Sequence, residues 1–238
     1  MGHVTVVGGC RAKAPSIGVL ASALPVGTVV KLMEGGTAVE YLVVNQGIPS
    51  NSDLYDASCD GTWLLRKDIH SNRQWNTSNV NKYESSAINT WLNGDYFSSL
   101  GAVEQATIKQ VKIPYRNGGT DQSGANGLLC KIFLLSGYEL GWTTKDNSDF
   151  PVDGAKLSYF EPRTSSFADN KRIAYLNGSA TVWWLRSPLI YNTTSAVWLV
   201  NSNGGYNANG ASNSYGIRPA LILPPTAKFD AATMLLKG

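Results

Sequence analysis

The feature that most constrains this chain is a long neutral segment held between two apolar arms near its end. Residues 183–223 read WWLRSPLIYNTTSAVWLVNSNGGYNANGASNSYGIRPALIL. The arms, Trp183–Pro188 and residues 216–223, are rich in strand formers, which predicts two strands of one antiparallel sheet. Between residues 187 and 217 there is no Asp, Glu, Lys, Arg or His. Such a segment offers hydrogen bonds and aromatic faces but no acid, base or metal-binding histidine. It is built to touch a ligand rather than to transform one.

Inside the segment, residues 196–200 (AVWLV) predict a middle strand, and Asn203-Gly204-Gly205 predicts a turn. Alternation along the strand leaves Trp198 either in the core or as the floor of a binding face. The exposed candidates are Ile190, Tyr191, Asn192, Thr193, Asn201, Asn203, Tyr206, Asn207 and Asn209. Tyr gives wide contact with few rotors, and Asn both donates and accepts hydrogen bonds, the palette of antibody loops. The same Asn, Gly and Ser residues also form turns, so any single Asn has a purely structural reading. Tyr191, Trp198 and Tyr206 are the expected energetic anchors. Arg186 and Arg218 sit between apolar neighbours on the arms. Buried guanidiniums must be paired, so both predict structural pins on carbonyls or a carboxylate, alongside Trp183 and Trp184.

Composition narrows the class. The 238 residues are 43% hydrophobic with seven Trp and eleven Tyr, enough for a substantial core. Charged residues make up only 16%, below the roughly 25% typical of soluble domains. Net charge is +3 and the basic residues are scattered, so no nucleic-acid partner is expected. No apolar run reaches the length of a membrane span, so no membrane insertion is expected. The apolar stretch before Cys10 is too short for a signal peptide, and Pro15 and Gly18 interrupt the next one; no Sec signal is read. Cys10, Cys59 and Cys130 are odd in number and far apart. They read as isolated thiols, with a Cys59–Cys130 bridge left open.

Along the chain, residues 1–25 read as a lead-in or attachment segment and residues 26–238 as a single α+β domain. Strands are predicted over 27–32 and 38–45 around a Glu34-Gly35-Gly36 turn, over 61–68, and over 128–135. Ile88, Trp91, Leu92 and Tyr96 set one apolar face of a helix over 84–100, with Ser85 or Ser86 as its cap. A weaker helical pattern covers 103–111. Ser136 and Glu139 have capping-box spacing and predict a short helix.

WWLRSP, the Asn/Ser/Gly-rich stretch and YGIRPALIL together resemble a bacterial and phage domain family ending in WLRSP…NSNG…GVRPAL-L. The resemblance extends upstream through GTVVKLMEGG, EYLVV, TWLLRKD, AINTWLN and LLSGYELG, and covers residues 26–224. That family is similar to the C-type-lectin-like fold shared with formylglycine-generating enzymes, and includes variable proteins of diversity-generating retroelements. The resemblance implies a C-type-lectin-like fold with small antiparallel sheets and about two helices. It implies a ligand-binding adhesin of a phage tail tip or bacterial surface, with residues 187–217 as the variable-type region. The implied partner is a bacterial surface protein or glycan, and a homo-oligomer fits. A non-catalytic structural component of a virion or cell surface is the alternative.

No enzyme is expected. The fold relatives that oxidise cysteine need thiols near the chain's end, whereas the last cysteine here is Cys130. His3 and His70 are the only histidines, and no hydrolase or nucleotide-binding motif occurs. The loop acids Asp56, Asp60, Asp146, Asp149 and Asp153 form no evident pair across a cleft. Residues 145–154 (KDNSDFPVDG) have calcium-loop chemistry without EF-hand spacing. No cofactor or metal is expected.

Overall fold

The structure, a computed structural model, describes residues 17–117, 119–162, 167–191 and 194–238. Asn192 and Thr193, together with His3 and Cys10 in residues 1–16, lie outside the described residues. Two five-stranded sheets organise the chain. The first opens with a hairpin of β1 (Val29–Glu34) and β2 (Thr37–Gln46), paired from Val29↔Leu42 to Glu34↔Thr37. Gly35 and Gly36 make its turn with φ of 57° and 79°, a conformation that favours glycine. β2 pairs with β3 (Thr62–Arg66), with a register shift between Val43 and Asn45.

The second sheet begins with the short strand β4 (Asn72–Gln74). The chain then returns to the first sheet at β5 (Ile132–Phe133). It builds the second from β6 (Trp183–Pro188), β7 (Ala196–Val200), β8 (Tyr206–Gly210) and β9 (Ser214–Gly216), and closes the first with β10 (Ala220–Leu223). Strand order is β5-β10-β3-β2-β1 in the first sheet and β8-β7-β6-β9-β4 in the second. Every pairing is antiparallel except β6 with β9, which meet at Trp183↔Gly216. Architecture is therefore mixed α+β with mostly small antiparallel sheets.

The sequence predicts that the two apolar arms share one antiparallel sheet, and the structure separates them. β6 lies in the second sheet and β10 in the first. The second arm breaks at residues 217–219, where Pro219 has no N–H to give a ladder. The chain crosses there beside residues 66–71, which make the reverse crossing. Arg66 N donates to Pro219 O, His70 N to Ile217 O, and Ile217 N to Ser71 O. One antiparallel ribbon thus runs through both sheets, from β3·β10 to β4·β9.

A helix over residues 87–99 packs on this frame. Its first turn is Ala87–Trp91, followed by a π-helical turn Leu92–Tyr96 and a last turn Phe97–Ser99. Ser86 is the cap, its Oγ accepting from Asn89 N at 3.2 Å. Ile88, Leu92 and Tyr96 are buried at four-residue steps. That spacing puts the three on one face of the helix, and the π-helical turn falls between the second and the third of them. A second helix, Ala102–Thr107, ends earlier than the 103–111 pattern predicts. Val111–Ile113 is instead a strand paired with Leu128–Cys130. Ser136 and Glu139 make both reciprocal bonds of a capping box, at 3.2 and 2.9 Å. No helix follows; the chain turns at Gly141, with φ of 89°.

Residues 17–25 belong to the fold rather than to a loose lead-in. Gly18–Leu20 pairs with Lys228–Asp230, which pairs in turn with Leu236–Lys237. Ala21 and Leu24 are buried. Among the described residues no helix is long and apolar enough to cross a membrane.

Candidate functional site

The neutral segment forms a three-stranded meander, β6-β7-β8, with β8 at the sheet's edge. Its root is fixed by Arg186, on β6 and 1% exposed. The guanidinium makes a bidentate pair with Glu139 at 2.6 and 2.7 Å and also donates to the carbonyls of Pro114, Leu134 and Asp153. Glu139 accepts further from Tyr55 Oη and Ser136 N. Every donor of the fork faces an acceptor, the condition under which a buried charge is tolerated. The Glu139 partnership holds Arg186 above its ordinary pKa against the opposing effect of burial. Trp183 and Trp184 are fully buried, with indole N–H groups donating to Arg172 O and Arg73 O.

Trp198 is only 3% exposed. It stacks on Phe150 with ring centroids 4.1 Å apart and donates Nε1–H to Asp149 O. Of the two readings left open by the sequence, core packing is the one found: Trp198 lies beneath the surface and does not line it. Tyr206 is half-buried and set edge-on to Trp142, Phe150, Phe167 and Trp198. Its hydroxyl donates to Asp146 O at 3.0 Å. Tyr206 is therefore packed into the body of the domain and not a free contact. The turn before it is tightly fitted. A Cβ at Gly204 would lie 2.2 Å from Asp169 O, and one at Gly205 2.6 Å from the Phe167 ring.

The asparagines mostly serve the backbone. Asn207 Oδ1 accepts from Ala208 N, and Asn209 Oδ1 from Gly210 N, both at 2.8 Å. Those N–H groups lie on the edge strand, so the two side chains satisfy donors that would otherwise invite another strand. Asn203 Oδ1 accepts from Gly205 N, and Asn201 Nδ2 donates to Tyr206 O. Asn209 Nδ2 donates to Tyr215 Oη at 2.6 Å. Strand register separates the candidates into two groups. Ala196↔Gly210 lies at one end of the β7·β8 pair and Val200↔Tyr206 at the other. Ile190 and Tyr191 belong to the loop at the first end, near Asn209. Asn201 and Asn203 form the turn at the opposite end, roughly 14 Å away at strand rise. Tyr191, 70% exposed, is the exposed aromatic of the segment; Ile190 is half-buried, its N–H donating to Asp149 O.

A family model described as a domain of unknown function, DUF6273, matches residues 60–225. The match runs from just before β3 through β10 and includes the meander and both arms, more than half of the chain. The chain belongs to the DUF6273 family. No curated protein and no solved structure matches it.

Outside the meander, several ionisable groups of the DUF6273 chain are held in buried or half-buried networks. Glu34 accepts from Arg66 at 3.1 and 3.2 Å and from the hydroxyls of Tyr41 and Tyr96 at 3.1 and 3.0 Å. His70 Nε2 lies 3.6 Å from the same carboxylate, and burial lowers its pKa. Asp153 Oδ2 accepts from Ser187 Oγ, while burial pushes the carboxyl up to about 7. Asp146 closes a turn by accepting from Thr143 N, and Asn147 accepts from Asp149 N. Cys59 and Cys130 are free, buried thiols rather than a bridge. Burial pushes Cys59 up to about 12, which removes thiolate reactivity at neutral pH. Among the described residues no group of three or more His, Cys, Asp or Glu is placed to hold a metal ion.

Sequence reasoning missed Glu139 as the partner of Arg186, although its capping-box spacing was visible. It also missed Phe150 and Trp142, whose packing role is set only by tertiary contact.

Proposed function

We propose that this DUF6273 domain is a non-catalytic ligand-binding module of C-type-lectin-like fold, an adhesin of a phage tail or bacterial surface. Its contact face centres on Tyr191 and the loop between β6 and β7. One observation carries the reading: a large aromatic side chain, 70% exposed, stands on a neutral loop whose roots are immobilised by the Arg186–Glu139 network and the Trp198–Phe150 stack. A rigid base under an exposed Tyr keeps the entropic cost of binding low, and Tyr is among the residues enriched at binding hot spots. The partner class is a surface protein or glycan of a bacterium, and retroelement diversification of residues 187–217 accords with their Asn-rich make-up.

A structural component of a virion or cell surface is the second reading. It is favoured by the engagement of Asn207 and Asn209 with their own strand. Labelled protein incubated with a panel of intact bacteria and with a glycan array separates the two. Saturable binding to one strain or glycan class supports the module; none supports the scaffold. Sequencing the gene's surroundings tests diversification: without a near-repeat of the 3′ end and a nearby reverse transcriptase, that part falls.

A further inference from the structure

The ribbon that crosses between the sheets ends in β4 and β9. It is pinned by the buried Arg218, whose Nε donates to Arg66 O at 2.9 Å and Nη2 to Lys67 O at 3.0 Å. β4 and β9 pair from Ser214↔Gln74 to Gly216↔Asn72, and β4 is the edge of the second sheet opposite β8. Beside that edge lies a cavity of about 380 Å³. Its wall is formed by Asn72, Arg73, Gln74 and Thr77, by Ser214 of β9, and by the first turn of the helix with Trp91.

Among the described residues of the wall, Arg73 alone is charged. Its guanidinium carbon stands 4.0 Å from the centre of the Trp91 ring. Trp91 is itself part of the wall, so the charged end of Arg73 is held at the cavity. Arg73 is exposed, and its side chain donates to no acceptor among the described residues. Stacking on an aromatic ring fixes a guanidinium while leaving its donors free. A charge on an edge strand also deters strand pairing, but that role requires neither an aromatic seat nor a cavity. The remaining polar groups are neutral and exposed. The side chains of Asn72, Thr77 and Ser214 have no hydrogen bond among the described residues. Gln74 gives Nε2–H to Ser212 O at 2.8 Å and keeps its carbonyl oxygen. Amides and hydroxyls both donate and accept, which suits a ligand rich in hydroxyls. The Trp91 ring is flanked by His70 and Tyr96 as well as Arg73, with ring centres 5.3 and 5.2 Å away. It seats the guanidinium and offers no open face to a flat base.

We infer that this cavity binds an acidic saccharide, a sugar ring bearing a carboxylate or a phosphate. The anion sits on the Arg73 fork, whose paired donors match two oxygens of either group. The ring hydroxyls meet Asn72, Gln74, Thr77 and Ser214. The volume lies low in the range of small-molecule pockets, roughly 300–1,000 Å³, and the absence of a carboxylate in the wall disfavours a cationic ligand. The site lies away from the Tyr191 loop and does not depend on the adhesin reading.

The test is calorimetric titration of the full chain with glucuronate, the primary phosphate ester of glucose, glucose itself and acetate, at matched ionic strength. Arginine side-chain NMR is recorded in parallel. We expect at least one acidic sugar to bind saturably and to shift the Arg73 resonance, with a Kd about tenfold or more below those of glucose and acetate. Glucuronate acting alone identifies a carboxylate ligand; the phosphate ester acting alone identifies a phosphorylated one. Arg73→Gln removes the fork, and Thr77→Glu sets a carboxylate on the rim. Each should weaken binding about tenfold or more, while Tyr191→Ala binds as the native chain does. Arg73 and Thr77 are exposed, so near-native melting temperatures are expected of both variants. Acetate binding as tightly as the acidic sugars overturns the proposal, because the ring is then unread. Glucose binding as tightly overturns it too, because the anion is then unread. Undiminished binding by both variants places the sugar elsewhere and overturns it. No saturation by either acidic sugar also overturns it and leaves Arg73 as a guard of the edge strand.

Discussion

At the scale of single residues, the meander divides into side chains that hold the domain together and side chains that remain available. Arg186 is the clearest holder. Glu139→Gln leaves its guanidinium without a counter-charge and should cost about 3–5 kcal/mol in a urea titration, as one-sided loss of a buried pair does. Arg186→Lys should also destabilise, because one ammonium with three donors cannot serve five acceptor atoms spread over four groups. Asp153 gives a pH signature. Its folded-state carboxyl sits near 7, chiefly through burial, against an ordinary 3.8. The folded chain therefore keeps a proton that the unfolded chain loses, and this group's contribution falls as pH rises from about 4 to about 7. His70, lowered by burial, acts with the opposite sign near its ordinary value. The difference between native chain and Asp153→Asn isolates the carboxyl: melting curves from about pH 5 to 8 should show the variant gaining relative stability as pH rises. Parallel curves would contradict the assignment.

At the scale of elements, β8 is an edge strand shielded by its own asparagines. Replacing Asn207 and Asn209 together by Ala unpairs the N–H groups of Ala208 and Gly210. The expected outcome is a loss of about 1 kcal/mol and concentration-dependent association seen by sedimentation; a monodisperse variant of native stability would remove the edge-guarding role. The same elements show how far the sequence could be read. The β1–β2 hairpin is legible because its apolar alternation meets a two-glycine turn, and the long helix because Ile88, Leu92 and Tyr96 repeat at helical spacing. The 103–111 pattern misleads because Val111 and Ile113 are buried by pairing with Leu128–Cys130, a tertiary contact that outweighs a weak local preference. Asn209 is ambiguous in sequence because one side chain type serves turns, edges and ligands alike; only its bonds to Gly210 N and Tyr215 Oη decide.

At the scale of the molecule, the two arms are legible as strands but not as members of different sheets. Pro219 marks the break, yet nothing local states that the chain continues into a second sheet, since that depends on residues 66–71 crossing alongside. The same long-range logic hides the role of the first described residues, whose Gly/Ala/Pro content reads as irregular although Gly18–Leu20 pairs with Lys228–Asp230. A chain beginning at residue 26 loses that strand and the buried Ala21 and Leu24, and should melt several degrees below the full chain, by roughly 2–4 °C per kcal/mol removed. Equal melting would return those residues to the status of a lead-in.

The central claim is that Tyr191 contacts a ligand while Tyr206 and Trp198 only support it. The most direct measurement is binding of Tyr191→Ala and Tyr206→Ala to a responsive bacterial strain or glycan, with melting temperatures taken on the same preparations. The account predicts that Tyr191→Ala loses tenfold or more in affinity, about 1.4 kcal/mol or more, at an unchanged melting temperature. Tyr206→Ala should lose about 2–4 kcal/mol of stability. Native-level binding by Tyr191→Ala would contradict the account and move the contact face away from the β6–β7 loop.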